Sequence, residues 1–262
     1  MTGYAPTVIK LGGSILDDAT PRAGALAAIA SAWNAGEPLI LVHGGGRKID
    51  AMLAALGMEK RTHKGLRVTD EPTLEVVVSA LAGVVNKMLV SELSARGVTA
   101  AGISGADGMT LTADVHPSLD GISLGRVGKV TASNPSLLQA IASKGFLPVV
   151  GSVALGRGGQ LLNVNADSAA AAIAVATGAR QLVFLTDVPG LLDDRGHLVP
   201  TITADSARML VEHAIVKGGM LPKLQSAVEA VSGGVGKVLI AGPEYHAEAL
   251  SGGIGGTHLV AA

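Results

Sequence analysis

The chain predicts an α/β fold, a three-layer αβα sandwich around a largely parallel open sheet. Two patterns carry this expectation. Apolar runs at residues 8–11, 39–42, 146–150, 182–185 and 238–240 are continuous rather than alternating, as strands buried on both faces of a parallel sheet require. Between them lie stretches of helical character that stop at glycine, and strands alternating with helices are the mark of a doubly wound sheet.

Taken in order, residues 8–11 open the sheet, and residues 23–35 form an alanine-rich helix with Gly36 as its stop. The strand at 39–42 leads into a helix over 47–56 that ends at Gly57. Residues 69–93 read as one long helix opened by Thr69 or Asp70, with Pro72 in its first turn. Its Leu74, Val76, Val77, Val78, Leu81, Val84, Val85 and Leu89 cover more than one face, so it is either central or a subunit interface. Residues 97–132 are rich in Gly, Thr and Ser and predict hairpins at the rim of the first half. A helix over 135–144 closes at Gly145, one over 166–177 at Gly178, and one over 221–231 at Ser232-Gly233-Gly234. There is no internal repeat, low-complexity tract or linker. The pattern suggests a boundary near Gly178, giving segments 1–178 and 179–262.

Composition narrows the function classes. Among 262 residues, 48% are hydrophobic and 16% charged, which suits a packed globule rather than a disordered chain. The formal net charge of −1 offers no electrostatic footprint for nucleic acid or anionic lipid. Two Phe, two Tyr and one Trp leave little for base stacking. The lack of cysteine removes disulfides, thiolate catalysis and zinc–thiolate sites. No uninterrupted apolar run reaches about 18 residues and no secretory leader is visible, so a soluble cytoplasmic protein is expected.

The chemistry collects at strand ends. In Val8-Ile9-Lys10-Leu11-Gly12-Gly13-Ser14, a lysine inside an apolar strand is costly unless its ammonium finds an anion, and the glycines free backbone N–H groups to face one. A lysine snorkelling from an edge strand reads the same way. In Val42-His43-Gly44-Gly45-Gly46-Arg47, three glycines join a buried strand to a helix, an arrangement that cradles anions; a plain turn is the other reading, and His43 reads as a hydrogen-bonded structural residue. Asn163-Val164-Asn165-Ala166-Asp167 enters an alanine-rich helix, with Asn165 as N-cap and Asp167 in the first turn. Thr186-Asp187-Val188-Pro189-Gly190 has the form of a type II turn. In Gly218-Gly219-Met220-Leu221-Pro222-Lys223, a cation sits beside the positive end of a helix, where an anion would justify it. Walker A and Rossmann fingerprints are absent, and the seven histidines show no His-Glu-x-x-His spacing. Glycine loops and lysines at strand ends suit phosphoryl transfer, where neutralisation and positioning dominate.

These motifs, in this order, together with Gly65-Leu66-Arg67-Val68-Thr69-Asp70, resemble the amino acid kinase family and, within it, its acetylglutamate kinase branch. The likeness runs from residue 8 to Gly256-Thr257 near the end of the chain. It implies ATP-dependent phosphorylation of the side-chain carboxylate of N-acetyl-L-glutamate, with Mg²⁺ carried on the ATP phosphates and no protein metal ligand named. Lys10 and Lys223 would contact the migrating phosphoryl group, and Asp167 would hold both ammonium groups. Gly12, Gly13, Gly44 and Gly45 would offer N–H groups to phosphate and acceptor, with Gly44, Gly45, Arg67 and Asn163 binding the acyl substrate. Asp187, Val188, Pro189, Gly190, Leu191, Leu192, Ile215, Val216 and Lys217 would line the nucleotide site. The resemblance also implies an acyl-substrate and dimerisation lobe over 1–178 and a nucleotide lobe over 179–262 on one continuous sheet. The long helix would make a homodimer, and the short stretch before Lys10 suggests insensitivity to arginine. The rival readings are a kinase for carrier-protein-linked aminoadipate or glutamate, and a non-catalytic nucleotide sensor of the same fold.

Overall fold

The computed structural model describes residues 5–261 apart from residues 214, 217 and 254. Lys217, expected at the nucleotide site, lies outside the described residues, as do the first four of the residues before Lys10.

Strand β1 (Thr7–Leu11) is followed by a short α1 (Gly13–Asp17) and by α2 (Ala19–Asn34), which Asp18 caps by accepting from Thr20 N at 3.0 Å. That cap and Pro21 in the first turn start α2 four residues before the alanine-rich stretch, because capping chemistry rather than apolar periodicity sets a helix start. Next come β2 (Leu39–His43) and α3 (Gly46–Ala55), then a two-stranded hairpin of β3 (Thr62–His63) and β4 (Leu66–Arg67). The long helix is built from α4 (Glu71–Val78), a π-helical segment over Ser79–Val85 and α5 (Asn86–Ser94). Asp70 is its N-cap, accepting from Thr73 N. Of its residues Val77, Leu81, Val85 and Leu89 are at most 3% exposed, whereas Val84 is 44% exposed. It is long and apolar enough to cross a membrane, but its inner face is part of the core.

The chain continues through β5 (Ala100–Ser104), β6 (Leu111–Val115), β7 (Val127–Ser133), α6 (Ser136–Ser143), β8 (Leu147–Gly151), β9 (Val153–Leu155), β10 (Leu161–Val164) and α7 (Ala166–Ala176). It ends with β11 (Gln181–Leu185), β12 (Thr201–Thr203), α8 (Ala204–Glu212), α9 (Met220–Ser232), β13 (Val238–Ala241), α10 (His246–Ser251) and β14 (Thr257–Val260).

Eight strands form one sheet in the order β12-β14-β13-β11-β1-β2-β8-β5, parallel throughout except for the β13–β14 pair. Successive residues of each central strand serve opposite cores. Val8, Ile40, Val42, Phe184 and Ile240 pack with α7 and α9. Ile9, Leu11, Leu41, Leu185 and Leu239 pack with α2, α5 and α10. This period-two division is why the strands read as continuous apolar runs.

One expectation needs correction. Residues 97–132 do not simply form rim hairpins: Ala100–Ser104 is an edge strand of the main sheet, parallel to β8. Being a mostly half-buried edge in which Ile103 is the one large apolar residue among Ala, Gly and Ser, it carries no apolar run to announce it. The β6–β7 pair is antiparallel and, with β9 and β10, closes a small four-stranded barrel.

Candidate active site

Parallel strands all leave the sheet at one edge, so the loops after β1, β2 and β11 converge there. Lys10 follows Val8 on the same face of β1 by the period-two rule, which turns it toward α7. Asn165 caps α7 by accepting from Asp167 N and Ser168 N, and this sets Asp167 in the first turn. The Lys10 ammonium meets Asp167 Oδ1 at 2.7 Å, with both side chains at most 7% exposed. Lys223, in the first turns of α9, reaches Asp167 Oδ2 at 3.7 Å and donates to Gly219 O at 3.2 Å. Burial, and then the neighbouring Lys10 ammonium, pull Lys223 below its ordinary value, while Asp167 and Asp187 pull the other way. Two cations thus share one buried carboxylate, an arrangement with spare positive charge for an incoming anion.

On the side expected to hold the nucleotide, a cavity of about 1050 Å³ opens beside Lys223. Its walls include the expected Asp187, Val188, Gly190, Leu191, Leu192, Ile215 and Val216, together with apolar Val199, Ile202, Leu210 and Met220 and the polar Asp193, Asp194 and Ser206. Pro189 and the glycines Gly12 and Gly13 do not line it. The sequence missed Ser14, whose hydroxyl is bonded to Asp187. Although burial raises it, hydrogen bonds from Ser14, the backbone and Thr186 hold the Asp187 carboxyl below the usual range. The signal was there: Ser14 ends the Lys10-to-Gly13 loop, one residue into α1. Thr257 was also missed; its hydroxyl accepts from Leu191 N at 2.8 Å and donates to Val199 O at 2.7 Å, pinning the cavity wall.

The glycines divide. Gly12 donates its N–H to Leu185 O at 2.9 Å, so that group is committed to the sheet and is not free to bind phosphate, contrary to expectation. Its hydrogen also explains the residue type, since a Cβ there would stand 3.0 Å from the Leu185 carbonyl. Gly44 lies against α7, where a Cβ would meet Ala166 Cβ at 3.3 Å. Gly45 N-caps α3 with no side-chain cap, and a Cβ on it would meet Leu81 and Val85 at 3.0 and 3.1 Å.

Arg67, at the end of the β3–β4 hairpin, is ion-paired with Asp50 of α3 and donates to Gly46 O at 3.1 Å. Its Nη1 is buried without a hydrogen-bond partner among the described residues. Asp50 also accepts from Lys60 at 2.7 Å, and these two hydrogen bonds hold its carboxyl low although burial works to raise it. Thr69 joins the two sequence-flagged polar residues, donating to Arg67 O at 2.8 Å and accepting from Asn163 Nδ2 at 3.2 Å. The site is therefore a string: Asn163, Thr69 and Arg67 at one end, the glycine loop and Lys10–Asp167–Lys223 in the middle, and the cavity beyond.

The sequence profile of the amino acid kinase family matches residues 5–242. An acetylglutamate kinase of Rubrobacter xylanophilus is 45% identical over 252 residues, 95% of either chain. One from Geobacillus thermodenitrificans is 43% identical over 233 residues, 89% of this chain and 88% of its own. Among solved structures, a protein of Streptococcus mutans superposes with a TM-score of 0.82 at 30% identity, covering 98% of each chain.

Proposed function

Because the chain belongs to the amino acid kinase family, we infer that it transfers the γ-phosphoryl group of ATP to the side-chain carboxylate of N-acetyl-L-glutamate. The product is N-acetyl-L-glutamyl 5-phosphate, and the step serves arginine biosynthesis. The observation that carries this reading is the shared Lys10–Asp167–Lys223 cluster, set between the large cavity and the Arg67 end of the site.

A carboxylate oxygen of the acceptor attacks the γ-phosphorus and the bond to the β–γ bridging oxygen breaks, so ADP leaves with that oxygen. The acceptor is already ionised at neutral pH, and no general base is required. That suits His43, which is fully enclosed and whose pKa is lowered to about 4 by burial. Lys10 and Lys223 supply positive charge where the equatorial oxygens of the transferring group gather it, and Asp167 fixes both before the substrate arrives. Arg67 offers its unpartnered Nη1 to the non-reacting carboxylate of the substrate, with Asn163 beside it. Gly44 and Gly45 present backbone N–H groups to the acceptor. Asp187, Val188, Gly190, Leu191, Leu192, Ile215 and Val216 form the nucleotide wall; Gly13 opens α1 beside it. A nucleotide fits a cavity of about 1050 Å³, and Mg²⁺ arrives on its phosphates. Residues 1–178 then hold the acyl substrate and 179–262 the nucleotide.

The protein acts in the cytoplasm with a second copy of itself as partner, docked on the outer face of the long helix where Val84 stands exposed. The relatives' names weigh against the carrier-protein-linked substrate, and the two lysines with their carboxylate weigh against a non-catalytic sensor.

An ADP-release assay comparing N-acetylglutamate, glutamate and aminoadipate tests the substrate. Strong preference for N-acetylglutamate is expected; equal or better turnover of either of the others would overturn the assignment.

A further inference from the structure

The mechanism leaves one buried network unused. His43, fully buried at the end of β2, has both ring nitrogens engaged. Nδ1 lies 2.9 Å from the carbonyl oxygen of Gly44, and Nε2 lies 3.1 Å from Asn86 Nδ2. A carbonyl only accepts, so Nδ1 carries the proton and Nε2 presents a lone pair. Asn86, also fully buried, is oriented by its other neighbours. Its Nδ2 faces the carbonyls of Ile103 and Val149 at 3.1 and 3.0 Å, and its Oδ1 accepts from Lys87 Nζ at 3.1 Å. The amide nitrogen is therefore the atom that meets His43; its two hydrogens are shared among three acceptors, and because it cannot accept a hydrogen bond it leaves Nε2 as the bare nitrogen.

The peptide between Gly44 and Gly45 is planar and trans, so its carbonyl and its N–H point in opposite directions. Holding the Gly44 oxygen fixes the direction of the Gly45 N–H. In a glycine pair, where no side chain restrains the backbone, such a hold has an effect that it would lack elsewhere. The π-helical segment makes this reach possible: it packs Leu81 and Val85 against Gly45 and delivers Asn86 directly after its last residue.

We propose that Asn86 and His43 are positioning residues for the acyl substrate: Asn86 sets the His43 tautomer, and His43 holds the Gly44–Gly45 peptide so that the Gly45 N–H is aimed at the acceptor. The proposal rests on the reading of Gly45 as a substrate donor. Releasing that N–H forfeits a hydrogen bond to an anion, roughly a tenfold to hundredfold loss in affinity.

The test compares three substitutions at residue 43. His43→Asn places its amide nitrogen where Nδ1 stands and keeps the donation to Gly44; His43→Gln fills more of the ring's volume but places its amide at the Nε2 position; His43→Leu has neither donor. Expected is a KM for N-acetylglutamate near wild type in the Asn variant and raised roughly tenfold or more in the other two, with the KM for ATP unmoved in all. A role in packing alone gives the opposite ranking, with Gln the better replacement, and that result overturns the proposal. In parallel, ¹⁵N NMR of the ligand-free wild type reads the ring directly: a protonated Nδ1 and a bare Nε2 are expected. A protonated Nε2 overturns the proposal whatever the kinetics and whether or not the variants fold. If the ring is as expected but the wild type ignores N-acetylglutamate, the function reading fails while the hold on the Gly44–Gly45 peptide stands.

Discussion

Lys10 and Lys223 are joined through one carboxylate, with Asp167 Oδ1 2.7 Å from the first ammonium and Oδ2 3.7 Å from the second. Three elements far apart in the chain, β1, α7 and α9, deliver these groups to one point. The geometry makes their functional consequences separable.

Removing either cation subtracts charge from the transition state more than from the ground state. Lys10→Ala and Lys223→Ala should each lower kcat by roughly a hundredfold or more, with only a few-fold change in either KM. Steady-state kinetics at saturating ATP decide it, and an unchanged kcat removes the assigned role.

Asp167→Asn leaves two ammonium groups side by side in a buried setting. The Asp167 charge now works to raise the Lys223 pKa against burial and Lys10. Without it Lys223 loses its proton at lower pH, so the alkaline limb of the activity profile should shift downward. Uncompensated buried charge should also cost about 3–5 kcal/mol of folding free energy. A pH–rate profile with a urea melt checks both halves.

At the other end of the string, the effect should fall on binding. Arg67→Lys keeps the charge but loses the fork, so Nη1 and its partnered neighbour cannot both be reproduced. The KM for the acyl substrate should rise about tenfold to a hundredfold, with kcat within a few-fold. Asp50→Asn should act in the same direction but less strongly, by loosening the guanidinium.

Gly190→Ala tests the cavity wall. Its Cβ would stand 2.5 Å from Thr257 Oγ1 and 2.7 Å from Leu198 Cδ1. The loop must shift and Thr257 must release Leu191, which should raise the KM for ATP while leaving that for the acyl substrate unchanged. Equal effects on both would contradict the assignment of this wall to the nucleotide.

His43 also predicts an acid weakness. Its folded pKa is about 4, below the ~6.5 of an unfolded chain. Between those values the unfolded state binds more protons, so stability falls as pH drops through the window. Urea unfolding at about pH 7.5 and pH 5 should differ by about 2 kcal/mol from this residue. His43→Asn should shrink the difference, leaving the smaller part due to His246, whose pKa burial also lowers.

The central strands and most helices were legible because burial on both faces writes itself as unbroken apolar runs, and glycine marks the helix ends. Ala100–Ser104 was not, because a half-buried edge strand needs no unbroken run of large apolar residues, and only Ile103 is one. The site was legible in its residue types and not in its connections. An isolated lysine on β1 and another on α9 say nothing of a shared carboxylate until the sheet brings them together. Gly12 shows the reverse failure: the Gly-Gly pair looked like two phosphate donors, but one N–H closes the sheet on Leu185. Nor could spacing show that the π-helical segment places Asn86 against His43, since a single inserted turn residue is invisible to a count of three or four.

The place of β1 in the sheet also bears on how the protein is made. Strand β1 has β2 for one neighbour, Thr7 beside Leu39, but its other neighbour is β11, with Thr7 beside Gln181. At ~5–20 residues per second, on the order of 10 to 35 s separate the synthesis of the two. Through that interval the strand that carries Lys10 keeps one row of backbone donors and acceptors unpaired, in a run of apolar residues. Newly made chains should then be most prone to strand-edge association before Leu185 emerges, and a chaperone would be needed most in that interval.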